Sequence, residues 1–325
     1  MIDLEWTKRV NDVADEYFNY LGRNDNTSEY TMRCVYNNHI LPLVGKKRIK
    51  NIKMKDMKNI QNSMIEKKHF GKKYSNKTVN NVTNVFNIIM NFAVQNEYLH
   101  SNPCMNYSSL RIVKDYDKTE FWTDKQFKHA IKYEKDFEWY CFLTILYLTG
   151  MRKGEIRALK WKDIDFEKNL IYIRRHINDK RIHKEGEGDK EWIIIGRKNS
   201  DQHILLMDNN TQKMLFQLLR NIKKCYTYEE NEFIFGRNKP VGQNGPKRHL
   251  DKIALEAGLP RIKVHGLRHS HVSFLISKGL NAYEIAERIG DTVDMVLKVY
   301  GHMFPNPQAN IVRELNKNFN FQFQM

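Results

Sequence analysis

Cysteine is scarce in this chain. Cys34, Cys104, Cys141 and Cys225 are scattered through 325 residues with no CxxC pair and no metal-ligand spacing. That excludes a disulfide scaffold and a cysteine-built zinc site, and it suits a reducing compartment. Proline is rare too, seven in all, and there is neither a low-complexity tract nor an internal repeat. No apolar run is long: the longest, Trp139 to Leu148, is about half of what a bilayer span needs. The opening Met1-Ile2-Asp3-Leu4-Glu5 lacks the basic and apolar regions of a secretory signal. A soluble, cytoplasmic protein without a membrane partner is expected.

Acidic residues are in deficit as well, 38 Asp and Glu against 54 Lys and Arg, a formal net charge of +16. Such an excess favours a polyanionic partner, nucleic acid above all, over a merely soluble basic protein. With 41% hydrophobic residues the chain can bury sizeable cores, and its length is comfortable for two domains.

The first hundred residues read as helical. Val79, Val82, Phe86, Ile89 and Ala93 repeat at the helical period with asparagines opposite, Val10, Val13, Tyr17 and Tyr20 make a weaker stripe, and Met54 to Met64 suggests another helix. Lys67, Lys68, Lys72, Lys73 and Lys77 cluster just before the strongest stripe. Either they are a solvated face or they meet a phosphate backbone, and they are the candidate DNA contacts. Residues 105–118 show no steady period after Asn102-Pro103 and read as a linker. Thr123 has the spacing of a helix cap with Gln126. A buried helix over Trp139–Leu148, a turn at Gly150 and a second helix carrying Arg152, Glu155, Leu159 and Trp161 are expected next. Runs at Leu170–Ile173, Trp192–Ile195 and Ile204–Leu206, divided by turn residues at Gly186–Asp189 and Asn199–Asp201, predict a small antiparallel sheet. Helices follow at Leu215, Leu218 and Ile222 and continue to the end.

Chemistry concentrates in an ordered set: Thr149-Gly150-Met151-Arg152-Lys153-Gly154-Glu155, then Lys198, then His265-Gly266-Leu267-Arg268-His269-Ser270, then Gly290 with Tyr300 ten residues later. Arginine is permanently charged and can grip two phosphate oxygens with its planar fork. Attack on a phosphodiester builds charge on the nonbridging oxygens, which fixed cations stabilise. A tyrosine hydroxyl, ordinarily titrating at roughly 10, becomes a covalent nucleophile beside such cations, and a desolvated lysine can protonate the leaving oxygen. No metal-ligand cluster accompanies the set, since His176 and His183 read as surface residues, so neither metal nor cofactor is expected.

This series resembles the tyrosine recombinase (phage integrase) family from about Thr119 to Pro305, and the stretch His39-Ile40-Leu41-Pro42-Leu43-Val44-Gly45 resembles that family's core-binding domain. The resemblance implies an α+β protein: an all-helical core-binding domain at 1–104, a linker at 105–118, and a mainly helical catalytic domain at 119–325 with a small antiparallel sheet. It implies that Arg152 and Arg268 clamp the scissile phosphate, His265 assists proton transfer, Lys198 protonates the departing 5′ oxygen, Glu155 braces Arg152 and His265, and Tyr300 is the nucleophile. Counting back seven residues from Leu205 selects Lys198 over the adjacent Arg197, although Leu206 stands where the family usually has proline.

Asp291 departs from the family pattern, which places histidine or, less often, tryptophan directly after the glycine matching Gly290. Two readings are open: Asp291 caps the following helix with Asp294, or it orients Arg268 or Tyr300. His302 is a possible substitute donor. His269 and His271 read as packing residues, with His269 one turn from His265. Ile311, Val312 and Leu315 after Pro305 and Pro307 predict a short amphipathic helix in an exchange segment, 306–325, that docks on a neighbouring subunit or folds back. The implied activity is site-specific recombination for a mobile element through a 3′-phosphotyrosyl intermediate on Tyr300, without metal or ATP. The implied assembly is a homotetramer on double-stranded DNA sites, monomeric when free, with accessory DNA-bending or excisionase proteins. A non-catalytic DNA-binding relative and a type IB topoisomerase-like enzyme are the alternatives. Family members often carry an arm-binding domain ahead of the core-binding one; it is expected to be absent or removed here.

Overall fold

The computed structural model describes residues 8–23, 29–112, 120–178, 193–196 and 203–319. Lys198, His183, Trp192, the turns expected at Gly186–Asp189 and Asn199–Asp201, residues 113–118 of the linker and the last residues of the tail therefore lie outside the described residues. Among the described residues the chain divides into two compact units, 8–112 and 120–319. The fold is α+β, mostly helical with small antiparallel sheets. No described helix is long and apolar enough to cross a membrane.

The first unit opens with α1 (Val10–Arg23) and α2 (Glu29–Val35), continues through a single π-helical turn (Tyr36–Ile40) into α3 (Leu41–Val44), and ends with the long pair α4 (Met54–Glu66) and α5 (Asn76–Gln95). Ser75 caps α5 by accepting the Thr78 N–H at 3.2 Å, which satisfies one of the helix's orphan donors. The stripe from Val79 through Ala93 is buried as its period predicts. On α1 the buried face runs through Val10, Val13, Ala14, Phe18 and Leu21, while Tyr20 is exposed; the apolar spacing favours Phe18 over the amphipathic tyrosines. Between α4 and α5 the chain makes a two-residue-per-strand hairpin, β1 (Lys68–His69) on β2 (Lys72–Lys73), in a domain expected to be all-helical. Phe70, at φ 48°, and Gly71, at φ 76°, form its tip. Residues up to 112 belong to this unit: Asn80 exchanges two hydrogen bonds with the backbone of Leu110, at 2.8 and 2.9 Å.

The second unit starts with α6 (Asp124–Ala130), capped by Thr123 with Gln126 in the reciprocal box. Its centre is α7 (Phe137–Thr149), apolar on every face beyond its first turn and largely buried from Cys141 onward. Asp136 accepts the N–H groups of Glu138 and Trp139 and so starts this helix. A helix without a polar face is stable only inside a core, and truncating its fully buried Phe142 to Ala should cost about 3–5 kcal/mol. The second expected helix is short: α8 covers only Lys153–Arg157, and Leu159 and Trp161 lie beyond it. Two small sheets follow rather than one. β3 (Ile164–Asp165), β4 (Leu170–Ile173) and β7 (His203–Leu206) form an antiparallel three-strand sheet, while β5 (Arg175–Asn178) pairs antiparallel with β6 (Ile193–Gly196). Helices α9 (Asn209–Cys225), α10 (Gly245–Glu256), α11 (Gly266–Ser277), α12 (Ala282–Ile289), α13 (Val293–Tyr300) and α14 (Pro307–Asn318) complete the unit. Trp122, fully buried, joins the start of the unit to α11: its backbone N–H donates to Ser270 Oγ and its indole to the Pro260 carbonyl, both at 2.9 Å.

Candidate active site

Gly150 sets the first edge of the site. It ends α7 in the left-handed conformation, φ 65°, and a β-carbon there would stand 2.6 Å from the His271 ring and 3.0 Å from Ile289. Both the turn and the packing therefore require glycine. The chain then delivers Arg152 as the residue before α8. Glu155, almost fully buried, accepts the Arg152 backbone N–H at 2.8 Å and its Nη1 at 3.2 Å. The carboxylate one turn into the helix thus both satisfies the helix start and orients the guanidinium.

Arg268 comes from the first turn of α11 and is only 3% exposed. Its Nη1 donates to the carbonyl of Gly150 at 2.8 Å and to that of Ile289 at 2.9 Å. Two helix C-termini, α7 and α12, therefore hold one side of the guanidinium with the carbonyls that helix geometry leaves unpaired. Its Nη2 donates to Asp291 Oδ2 at 2.9 Å, and the same oxygen accepts Arg152 Nη2 at 2.9 Å. A single carboxylate oxygen thus bridges both arginines.

The capping reading of Asp291 does not hold. Thr292 is the residue that caps α13, accepting the Met295 N–H at 3.2 Å. Gly290, at φ 63°, closes α12, and the next N–H, that of Asp291, returns to the Ala286 carbonyl at 3.0 Å. This closed turn aims the Asp291 side chain at the arginines, and leaves capping to the residue after it.

Tyr300 ends α13 with its ring in a small core of Val272, Ile276, Ile285, Ala286, Ile289 and Val296. Its hydroxyl is 2.6 Å from Nδ1 of His269. Burial pushes the phenol up to about 12; the Arg268 charge opposes this and Asp291 adds to it. His269 is driven down to about 4 by burial and by the neighbouring His265 and Arg268. A neutral His269 with its proton on Nε2 accepts the phenol proton's hydrogen bond. His265 lies edge-on to His269, ring centroids 4.8 Å apart, and is lowered by desolvation and then by the two arginines, against Asp291. His271, nearly fully buried beneath Gly150, is lowered to about 3, mainly by burial.

The structure thus brings Arg152, Glu155, Arg268 and Asp291 into one bonded cluster, with His265, His269 and Tyr300 beside it. His302 sits exposed in the turn after Tyr300. Lys198 is outside the described residues, between β6 and β7. The five lysines belong to the other unit: all are exposed, Lys68 opposite Lys73 in the hairpin, Lys67 ending α4 and Lys77 opening α5. The residue that sequence reasoning undervalues is His269. Its signal is present, since four residues from His265 on a helix places both rings on one face.

The phage integrase family pattern matches residues 123–306, and the family's N-terminal SAM-like domain matches residues 10–65. The chain is 29% identical over 299 residues to the ICEBs1 integrase of Bacillus subtilis, covering 87% of this chain and 76% of that protein. Its fold is similar to the Tn1549 transposon integrase in complex with transposon right-end DNA, TM-score 0.73 at 19% identity, covering 96% of this chain and 99% of that one. It is also similar to a lambda integrase tetramer bound to a Holliday junction, TM-score 0.63 at 12% identity, covering 90% and 80%. With a family pattern spanning more than half of its length, and the cluster of arginines and tyrosine falling inside that span, the chain belongs to the phage integrase family and is a tyrosine recombinase, an enzyme of site-specific DNA recombination.

Proposed function

We propose that the chain is the integrase of a mobile element, and that Tyr300 breaks and rejoins one DNA strand per subunit through a 3′-phosphotyrosyl bond. The observation that carries this is the convergence of Arg152 Nη2 and Arg268 Nη2 on a single anionic oxygen. A nonbridging oxygen of a phosphodiester fits that same place, where two fixed cations lower the barrier to attack.

In this reading Tyr300 Oη attacks phosphorus, the P–O5′ bond breaks, and the 5′ oxygen takes a proton from Lys198. The phenol proton passes to His269 Nδ1, 2.6 Å away. Burial holds the phenol above and the imidazole below their ordinary values, so transfer before attack is unfavourable, and in this reading the phenol gives up its proton as its oxygen bonds phosphorus. His265, packed against His269, steadies the ring and faces the arginine side. The bond energy stays in the phosphotyrosine, so a free 5′ hydroxyl can reverse the step without ATP.

Residues 1–104 would supply a second, helical grip on duplex DNA, with the lysines around the β1–β2 hairpin on the phosphate backbone. The Tn1549 integrase was solved on DNA and the lambda enzyme as a tetramer, which supports a tetramer on paired sites for this chain. Its α14, with Ile311, Val312 and Leu315 all about half exposed, is suited to docking on a neighbouring subunit. Asp291, filling the arginine pair, is the one feature that favours a DNA-binding relative without catalysis. A nicked suicide duplex bearing the element's junction sequence separates the two: wild type forms a denaturation-resistant adduct and Tyr300→Phe forms none. Sequence-specific binding without adduct would support the non-catalytic reading instead.

A further inference from the structure

We infer that Asp291 is a built-in stand-in for the scissile phosphate: its carboxylate occupies the shared edge of Arg152 and Arg268 while DNA is absent, and a phosphate oxygen must displace it before cleavage. The inference rests on the reading of these arginines as the phosphate clamp and names what restrains them.

Neither arginine needs Asp291 to be placed. Arg152 is already held by Glu155 through Nη1, and Arg268 by the carbonyls of Gly150 and Ile289. Asp291 has no duty at the helix start either, because Thr292 caps α13. What remains is charge and occupancy. Two guanidiniums face two carboxylates, Glu155 and Asp291, while burial and the arginines' own charge keep His265 and His269 biased toward neutrality. The described groups therefore form a formally neutral cluster, which gives an entering phosphodiester none of the net attraction that a bare arginine pair would supply. Both bonds to Asp291 come from the outward Nη2 atoms, the edge left after the carbonyls and Glu155 have taken the Nη1 atoms.

Asp291 can also leave. Its side chain is 24% exposed, whereas Glu155 is nearly sealed in. Its backbone is fixed by the Ala286 bond, and its second oxygen accepts the adjacent Thr292 N–H at 3.2 Å. A rotation about the side-chain bonds releases the arginines into a site that already has their geometry, so the restraint costs rate without costing fold.

The test compares wild type with Asp291→Asn, which keeps the size and removes the charge, in single-turnover adduct formation on the suicide duplex at subsaturating DNA. The expected result is adduct formation faster by about tenfold for Asp291→Asn, with a steeper fall as salt is added, because one more net positive charge meets the backbone. Thermal melting checks the fold. If Asp291→Asn melts early, Asp291→His, which returns the residue type usual in the family, is measured in the same way and should also be faster. Equal or slower adduct formation by folded variants, with wild type active, overturns the inference and leaves the function standing. No adduct from wild type or variants on DNA they bind overturns the functional reading, and the inference with it.

Discussion

The β1–β2 hairpin of the first unit and the arginine cluster of the second both present cations suited to DNA, yet they are built in opposite ways. The hairpin lysines stand in water on two-residue strands, around the exposed Phe70. In the cluster, Arg268 is buried, and the Glu155 carboxylate and helix-terminal carbonyls hold the two arginines in place. Exposed charge acts at long range and fades with salt; it suits finding and gripping a duplex. Buried, multiply anchored charge is held in one geometry and acts on one atom. On the proposed function, positive charge would serve capture in one unit and chemistry in the other.

Arg268→Lys should break the contrast most severely. One ammonium cannot serve the Gly150 and Ile289 carbonyls and a phosphate oxygen together, so adduct formation should fall about 10²–10³-fold with DNA affinity changed far less. A comparable loss of affinity and rate would place Arg268 in the capture class. Next comes His269→Phe, which keeps a buried ring but removes the acceptor 2.6 Å from Tyr300. Single-turnover cleavage should slow about 10²-fold at unchanged binding; an unaltered rate would relieve His269 of the proton.

Acid should act on the second unit through the same burial. His269 and His271 have folded values lowered to about 4 and about 3 from an unfolded value of about 6.5. Their contribution is present above the unfolded value and is lost as pH falls toward the folded ones. Urea unfolding should show a loss of about 2 kcal/mol per histidine between pH 7 and pH 5, and His271→Leu should flatten that slope. The smallest effect belongs to the hairpin. Lys68→Ala, Lys72→Ala and Lys73→Ala together should make binding less sensitive to salt, by about one unit of slope for each phosphate left without its lysine. Cleavage at saturating DNA should be unchanged. A change in the saturated rate instead would tie the hairpin to the chemistry.

Much of the fold is legible in the sequence. The period of Val79 to Ala93, the long apolar run of α7 and the Thr123–Gln126 box each describe themselves within a few residues, because helix formation is local. The grouping of Arg152, Glu155, His265, Arg268 and Tyr300 is legible through the family resemblance that their order and spacing carry. What stays hidden is set by neighbours distant in sequence. Asp291 reads as a cap because aspartate before a helix usually is one; only the turn at Gly290, which hands capping to Thr292, points it at two arginines. The sheet divides in two because Arg175–Asn178, with no clear alternation, finds a partner in Ile193–Gly196. The lysine hairpin escapes because its strands are too short to carry a period.

The most direct test is to trap the covalent complex on the suicide duplex, digest it, and map by mass spectrometry the peptide that carries the nucleotide. The account predicts a 3′-phosphate ester on the hydroxyl of Tyr300 and nowhere else. An ester on another side chain, or one that survives Tyr300→Phe, would contradict it.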